Sequence, residues 1–211
     1  MDLEKNKMRN KVIIGVDEVG RGCIAGPVIA AAVVWEGLDI KGLNDSKQLS
    51  LKQRKEVFQQ CLEHNLVFAT GWSDVKEIEE RNILYATRLA MERAINSVVD
   101  KVKVLPEIAL IDGKAYKNGY LQNIPTGQRW IVKGDTIVPA IMAASVIAKV
   151  LRDKYMRSLV VGIPEYEVYG WKTNVGYGTK QHFEAIKKYG ITPFHRKTFQ
   201  PIKGWLKEEV I

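Results

Sequence analysis

Four acidic side chains stand at the ends of short apolar runs that resemble buried strands. They are Asp17 and Glu18 after the first run, Asp112 after a later one and Asp135 after a third. A carboxylate at the edge of a buried strand loses hydration, which costs several kcal/mol unless it is paired or binds a metal. Ligands of α/β proteins also collect outside strand ends. The pattern therefore predicts a shared cation site.

The type of donor indicates which cation such a site would hold. Carboxylate oxygens without a matching set of His or Cys ligands favour Mg²⁺ or Mn²⁺, and two such ions form a centre that can cleave phosphodiesters. In the alternative interpretation, each carboxylate caps a helix, closes a turn or pairs with Lys or Arg, which is the better explanation for any single one. Asp45 and Asp153 are competitors, and an ion pair of Asp153 with Arg152 is the simpler explanation for the latter.

A glycine-rich turn follows the acidic pair. Gly20, Arg21 and Gly22 superficially match a dinucleotide-binding motif, but the next glycine is Gly26 and a strand-like run follows instead of a helix, so both spacing and context exclude that motif. Two glycines allow the backbone to approach a ligand closely while the arginine is held nearby. An ordinary turn is the alternative.

Other side chains could contact a sugar, a base or a phosphate. Aromatic residues beside glycines, Trp171 and Tyr177, are a plausible platform for a sugar or base, although such residues more often close a loop. Lysines that could neutralise phosphates are Lys47, Lys114, Lys133 and Lys149. The three histidines form no spaced ligand set, and we assign them no catalytic role.

Composition indicates a globular protein with one core, or with one core and an appendage. The chain has 211 residues, 46% of them hydrophobic, and its 32 Lys and Arg against 24 Asp and Glu give a net charge of +8, a hint of a polyanionic partner. Two cysteines far apart, Cys23 and Cys61, cannot form a disulfide framework or a Cys-ligated zinc site, which favours the cytoplasm. Residues 1–11 lack the apolar region of a signal peptide, and no stretch is long enough to span a membrane.

Apolar periodicity predicts one α/β domain with a mixed sheet. The predicted strands are 12–16, 29–35, 67–71, 108–111 and 129–133, and the predicted helices are 50–63, 83–99, 140–157 and 179–189. Residues beyond Gly190 are expected to be irregular and to carry a basic patch at 195–197.

The order of these motifs resembles the type 2 ribonuclease H family, in particular bacterial ribonuclease HII. The motifs that match are 16–22 (VDEVGRG), 25–28, 44–47, 111–113, 133–135, 143–145, 148–150, 152–153, 176–179 (GYGT) and 195–196. They occur in family order over nearly the whole chain, which makes the resemblance far more specific than any single motif.

The resemblance implies an RNase H-like fold, with a central mixed β-sheet flanked by helices and a C-terminal helical segment. A single domain over 1–211 is expected, with a catalytic core at about 11–160 and a substrate-binding helical segment at about 161–211. The implied enzyme hydrolyses the RNA strand of RNA–DNA hybrids and cuts 5′ of single ribonucleotides embedded in DNA, as in ribonucleotide excision repair. It uses two Mg²⁺ or Mn²⁺ ions and leaves 5′-phosphate and 3′-hydroxyl ends.

The resemblance also assigns roles to individual residues. The implied metal-binding and catalytic residues are Asp17, Glu18, Asp112 and Asp135. The implied substrate contacts are Gly20, Arg21 and Gly22 around the 2′-hydroxyl, Tyr177 on the deoxyribose at the RNA–DNA junction, and Lys47, Ser145 and Lys149 at phosphates. The expected partners are RNA–DNA hybrids and ribonucleotide-containing DNA, bound by a monomer. A replication clamp is conceivable, but 205–211 shows no pattern for it.

Some positions depart from the family pattern. Cys23 stands where proline is frequent, Val175 replaces a commonly basic residue, and the stretch from Asp112 to Asp135 is long, so Asp153 is the substitute if Asp135 is misaligned. Two alternatives remain: a junction resolvase-like metal nuclease and a non-catalytic nucleic-acid-binding module. Four carboxylates would repel phosphates in a binding module, and a resolvase has no use for a turn that reads a 2′-hydroxyl.

Overall fold

The computed structural model describes residues 12–115 and 120–208 of the chain. Five strands form one sheet within these residues, in the order β3-β2-β1-β4-β5. The strands are β1 (Ile13–Val19), β2 (Val28–Trp35), β3 (Phe68–Ser73), β4 (Ile108–Asp112) and β5 (Gly127–Ile131). The predicted mixed sheet is confirmed.

Strand direction brings the acidic residues to one edge of the sheet. β1 is antiparallel to β2 and β2 to β3, whereas β1, β4 and β5 are parallel neighbours. The carboxyl ends of these three strands therefore meet at the same edge. β1 continues past its predicted end at residue 16, so Asp17 and Glu18 lie inside the strand, and Asp112 is the last residue of β4.

Helices cover both faces of the sheet. In chain order they are α1 (Leu51–Glu63), α2 (Val75–Arg81), α3 (Ile83–Val99), α4 (Gly134–Ile137), α5 (Pro139–Gly162), a 3₁₀ helix (Pro164–Tyr169), α6 (Trp171–Asn174), α7 (Lys180–Tyr189) and α8 (Ile202–Lys207). The four long predicted helices are present, with Ser50 and Gln53 forming the predicted capping box before α1.

The central strand β2 shows why both faces need a covering layer. Every residue of β2 is buried, and its side chains alternate between two cores. Ala30 and Ala32 pack in the core that contains α3 residues such as Ala90, whereas Ala31 lies in the core that contains α1 and α5 residues. The small side chains allow the helices to approach the sheet closely.

Some elements differ from those predicted from the sequence. α2 was not predicted, although Asp74 and Glu77 form a capping box at its start. α5 continues to Gly162 because no proline or cap ends it at residue 157. The tail beyond Gly190 contains α8, whose Ile202 is fully buried in a third core beneath the C-terminal segment.

The C-terminal segment also corrects two predictions about surface residues. His195 and Arg196 are 0% exposed, so the expected basic patch does not form around them. Trp171 is also 0% exposed and cannot be a platform for a base. The expectation for 1–11 lies outside the described residues. Of the helices in the described ranges, none has the length and apolarity to cross a membrane.

Candidate active site

Asp17 is held at the interface between β1 and α5. Gly15 precedes it on the same face of the strand, and a Cβ atom there would overlap the backbone of Ala140 in α5, so glycine permits direct contact of helix and strand. Asp17 is buried, and its carboxylate accepts hydrogen bonds from the Ser145 hydroxyl of α5 and from the Glu18 backbone N–H, the latter at 2.7 Å.

Parallel pairing of β1 and β4 brings Asp112 beside Asp17. Val16 pairs with Ile111, so the residues that follow them are neighbours on the same edge. Asp135 joins them from α4: its backbone N–H donates to Asp112 Oδ1 at 3.2 Å. The three chain segments that carry the predicted carboxylates therefore converge, although Asp17 is far from Asp112 in sequence.

Burial and mutual repulsion make this group of carboxylates electrostatically unfavourable. Burial raises the pKa of Asp17 well above its ordinary value, and the negative charges of Glu18 and Asp112 raise it further. The pKa of Glu18 is raised by burial and lowered in part by Arg21. Burial also raises the pKa of Asp112, against the hydrogen bond from Asp135. A cation at this edge would relieve the repulsion.

Lys47 places a positive charge beside the carboxylates. Its Nζ atom lies 2.7 Å from Asp135 Oδ2, and this hydrogen bond raises the pKa of Lys47. The preceding turn is built by Asp45, whose carboxylate accepts the Lys47 backbone N–H at 2.9 Å. Ser46 in the same turn is hydrogen-bonded to Ser145 at 2.8 Å. Asp45 thus orders a turn, as the alternative interpretation of this residue expected.

The donor set fits a hard divalent cation. Asp17, Glu18, Asp112 and Asp135 offer carboxylate oxygens only, the ligands that Mg²⁺ and Mn²⁺ prefer. In their present rotamers, no three His, Cys, Asp or Glu side chains of the described residues are close enough together to hold a metal ion. Binding would therefore require the side chains to turn toward a common point.

The Gly20 turn lies directly beside this cluster. Arg21 Nη1 is 3.2 Å from Glu18 Oε1, which joins the turn to the carboxylates. Gly20 has a φ of 96°, and a Cβ atom there would overlap the Arg152 side chain, so both the conformation and the space require glycine. Sequence and structure agree that a turn lies at this position.

Arg152 supports this turn through hydrogen bonds to backbone carbonyls. It does not form the ion pair with Asp153 that the sequence predicted. The Arg152 side chain is fully buried and donates to the carbonyls of Pro27, Val175 and Ala25 at 2.8–2.9 Å. The expected ion pair of Asp153 with Arg152 is wrong. The Asp153 carboxylate instead accepts from Lys149 Nζ at 2.8 Å, because the helix presents residues four positions apart on one face.

Arg196 is a second buried arginine beneath the same segment. Its guanidinium donates to the Gly26 carbonyl at 2.8 and 2.9 Å and to the Arg21 carbonyl at 3.1 Å. Burial lowers the pKa of Arg196 to about 9. From the sequence, Arg152 was expected to pair with Asp153 and Arg196 to lie in a basic patch, so the support that both give to the backbone was not predicted. The charged residues around Arg152, among them Lys149, Asp153 and Lys154, gave no indication that this one is buried.

Tyr177 lies against the other side of the glycine turn. The Gly176 carbonyl accepts the backbone N–H groups of Ile24 and Ala25, and the Cys23 side chain is hydrogen-bonded to Tyr177. The tyrosine remains 40% exposed. Lys149 Nζ lies 5.5 Å from the centre of its ring. Tyr177 therefore offers a partly exposed aromatic surface next to the turn.

The structure thus brings the predicted site residues into two adjoining groups. The first comprises Asp17, Glu18, Asp112, Asp135, Lys47 and Ser145. The second comprises Gly20, Arg21, Gly22, Tyr177 and Lys149. Ser145 is buried behind Asp17 rather than at the surface, and Asp153 lies with the second group, bound to Lys149.

Solved structures with the same fold come from several ribonucleases. Ribonuclease H2 from Pyrococcus horikoshii OT3 superposes with a TM-score of 0.74 at 25% identity, covering 94% of this chain and 98% of that one. Bst-RNase HIII in complex with Mn²⁺ gives a TM-score of 0.74 at 20% identity, covering 96% and 71%. At 20% identity, the similarity to Bst-RNase HIII is evidence for the fold alone. The RNase H-like fold is confirmed.

Sequence comparison identifies the family. The family profile described as Ribonuclease HII matches residues 14–202. Ribonuclease HII of Pelagibacter ubique is 47% identical over 197 residues, covering 93% of this chain and 100% of the relative. Ribonuclease HII of Coxiella burnetii is 46% identical over 195 residues, covering 92% and 91%. The chain therefore belongs to the ribonuclease HII family and is a ribonuclease H enzyme.

Proposed function

We propose that this ribonuclease H hydrolyses the RNA strand of RNA–DNA hybrids and cuts 5′ of single ribonucleotides embedded in duplex DNA. The observation that carries the proposal is the contact between Arg21 and Glu18, because it joins a turn suited to reading a ribose to a cluster of carboxylates suited to cleaving a phosphodiester. Recognition of the ribose and cleavage of the phosphodiester would then take place at the same nucleotide.

Recognition of the ribonucleotide is assigned to the backbone of Gly20, Arg21 and Gly22. The 2′-hydroxyl distinguishes RNA from DNA, and it both donates and accepts hydrogen bonds. Backbone N–H and carbonyl groups that a glycine turn leaves accessible can match both properties. Tyr177 would stack on the deoxyribose next to the ribonucleotide, since its ring is partly exposed beside the turn.

Metal binding is assigned to Asp17, Glu18, Asp112 and Asp135. The raised pKa values of Asp17, Glu18 and Asp112 support the assignment, because carboxylates that repel one another in a buried site gain most from a divalent cation. When bound, two Mg²⁺ or Mn²⁺ ions would supply Lewis acidity for attack of water on phosphorus and for departure of the 3′-oxygen, leaving 5′-phosphate and 3′-hydroxyl ends.

The remaining side chains orient the site and the substrate. Ser145 donates a hydrogen bond to the Asp17 carboxylate. Lys47, whose side chain is 76% exposed and bound to Asp135 at 2.7 Å, can contact a phosphate next to the cut. Lys149 lies beside Tyr177 and can do the same. The net charge of +8 favours association with a polyanion.

A reducing cytosol is the proposed location of the enzyme. Its cysteines, Cys23 and Cys61, are both buried as free thiols. Burial raises the pKa of the Cys61 thiol to about 11, which keeps it in the unreactive protonated form. Neither residue therefore needs an oxidising compartment.

A panel of labelled substrates tests the proposal. It contains a DNA duplex with one ribonucleotide, its all-DNA twin, an RNA–DNA hybrid and a four-way DNA junction, each incubated with Mg²⁺, Mn²⁺ or EDTA. We expect metal-dependent cutting of the two ribonucleotide-containing substrates only. Preference for the all-DNA junction would instead indicate a resolvase, and binding of every substrate without cutting would indicate a nucleic-acid-binding module.

A further inference from the structure

A buried cluster of three ring side chains lies beneath Tyr177 and has no part in the proposed chemistry. Trp171, His182 and His195 are each 0% exposed. Trp171 Nε1 lies 3.0 Å from His182 Nε2, and His182 Nε2 lies 3.0 Å from His195 Nε2. On its other side, His182 Nδ1 lies 2.9 Å from the backbone carbonyl oxygen of Tyr177. The cluster is therefore connected directly to the aromatic residue of the proposed substrate site.

The partners of each ring nitrogen fix the tautomers of the two histidines. The Thr192 backbone N–H can only donate, so His195 Nδ1, at 2.8 Å from it, must accept. Neutral His195 then carries its proton on Nε2 and donates to His182 Nε2. The Tyr177 carbonyl can only accept, so His182 carries its proton on Nδ1 and donates to it.

The same reasoning excludes a protonated His182. Its Nε2 atom faces two donors, the Trp171 indole N–H and the His195 Nε2–H. A third N–H at this point would have no acceptor and would place a positive charge in a buried apolar cluster. His182 is consequently held neutral, with a single orientation and with its only proton directed at Tyr177.

Glycines flank Tyr177, so the hydrogen bond from His182 to its carbonyl can restrict the backbone there. Tyr177 lies between Gly176, which has a φ of 90°, and Gly178, and glycines leave the chain free to adopt many conformations. The Tyr177 N–H donates to the Asn174 carbonyl, and its own carbonyl accepts Thr179 N–H, both within the same loop. His182 ties that carbonyl to α7 and to the buried core.

We propose that His182 is a positioning residue for substrate recognition, which holds the Tyr177 backbone so that its ring meets the nucleotide beside the cut. The inference rests on the proposed role of Tyr177. His195 and Trp171 act through His182, since they fix its tautomer and ring plane and do not touch Tyr177 in any of the contacts above.

Two polar substitutions of His182 separate positioning from simple filling of the core. His182→Asn keeps an amide N–H near the position of Nδ1 and can still donate to the Tyr177 carbonyl. His182→Gln places its amide near the position of Nε2, where it keeps the contact with His195 and Trp171 but loses Tyr177. Tyr169→Phe is the matched control, because Tyr169 packs against Trp171 and His195 and the substitution removes its buried hydroxyl, which is bonded to the Gly190 carbonyl at 3.0 Å.

The test is a double-mutant cycle with Tyr177→Ala on a duplex that contains one ribonucleotide. We expect His182→Gln to lower kcat/KM about fivefold to tenfold, the value of one hydrogen bond, with His182→Asn and Tyr169→Phe close to wild type. In the Tyr177→Ala background, His182→Gln should cause no further loss, because the group that it positions is gone. Thermal unfolding confirms that each variant is folded at the assay temperature.

The possible failures are distinguishable. If wild type does not cut the duplex, the proposed function fails and the inference fails with it. If wild type cuts and Tyr177→Ala does so equally well, the role of Tyr177 is wrong and so is that of His182. If Tyr177→Ala is impaired but His182→Gln is either harmless or equally harmful in both backgrounds, only the positioning role is overturned. If His182→Gln does not fold, a tenfold loss in His182→Asn overturns the inference and wild-type activity supports it.

Discussion

The Arg21 guanidinium contacts the Glu18 carboxylate at 3.2 Å, across the boundary between the glycine turn and the acidic edge of the sheet. Glu18 is the last acidic residue of β1, and Arg21 is the central residue of the turn that follows. One ion pair therefore links the turn that would read a ribose to a carboxylate of the group that would cut beside it.

Removal of this ion pair should impair cleavage more than binding. We expect Arg21→Ala to lower kcat/KM on a duplex with one ribonucleotide by about tenfold or more, since a misplaced reacting group is costly in rate. Lys52→Ala, which removes an equal charge from an exposed pair on α1, is the control and should have little effect. Equal activity of Arg21→Ala and Lys52→Ala in steady-state assays would show that the ion pair does not align the site.

Asp17→Asn should stabilise the metal-free protein while abolishing cleavage. Because the pKa of Asp17 is raised in the folded state, its ionisation at neutral pH opposes folding, and this cost disappears as the pH falls below the folded pKa. At pH 7 in EDTA, relief of about 1 kcal/mol would raise Tm by about 2–4 °C, and the difference should shrink toward pH 4. A lower Tm at pH 7, measured by calorimetry, would contradict a strained carboxylate cluster.

Replacing the buried Arg152 should destabilise the protein severely. Arg152→Met leaves the carbonyls of Pro27, Val175 and Ala25 without their donor, at a cost of about 3 kcal/mol or more. Arg157→Met on the same helix is the matched control, because Arg157 is partly exposed and donates to a single carbonyl, that of Lys172. Urea unfolding at pH 7 compares the two variants. A similar decrease in the free energy of unfolding for both variants would mean that the Arg152 hydrogen bonds contribute little to stability.

Stability should fall at acidic pH through the buried histidines. Burial, followed by the influence of His182, lowers the pKa of His195 to about 3, and burial also lowers that of His182. Near pH 6.5, His182 and His195 therefore bind protons in the unfolded chain but stay neutral in the folded one. As a result, the free energy of unfolding decreases as the pH falls below about 6.5. Denaturant titrations should show a weaker decrease between pH 6.5 and 4 for His195→Gln. If the free energy of unfolding of His195→Gln depended on pH in the same way as that of wild type, protonation of the cluster would not oppose folding.

Salt should weaken binding of the nucleic acid, and Lys47 should account for part of the effect. Each phosphate contact that is lost reduces the slope of log affinity against log salt by about 1. We therefore expect a steep slope for Asp17→Asn, used as an inactive binder, and a shallower one when Lys47→Ala is added. Fluorescence anisotropy over a salt series measures both. A flat profile for the first protein would contradict a basic binding surface.

The sequence predicts those parts of the fold and site that depend on local pattern. Apolar runs identify β1, β2 and β4, and the capping box at Ser50 identifies α1. The convergence of Asp17 and Asp112 follows once β1 and β4 are taken as parallel neighbours. These features arise from hydrophobic alternation and from residues that are close in sequence.

The buried polar residues could not be predicted in this way. Arg152 binds Ala25 across 127 residues, and Arg196 binds Gly26 across 170, and both partners are backbone carbonyls. A carbonyl is present at every position, so no pairing of opposite charges in the sequence indicates such a contact. The burial of His182 and His195 likewise depends on the packing of the C-terminal segment against the glycine turn.

The central claim is that the carboxylate group around Asp17 cleaves the strand beside a ribonucleotide, whose ribose the Gly20–Gly22 turn recognises. Its most direct test maps the cut in an end-labelled DNA duplex with one ribonucleotide, using wild type and Asp17→Asn with Mg²⁺, Mn²⁺ or EDTA. We predict a single cut on the 5′ side of the ribonucleotide, by wild type only and only with metal, while Asp17→Asn binds the duplex without cutting. Cutting elsewhere, cutting in EDTA or wild-type turnover by Asp17→Asn would contradict the claim.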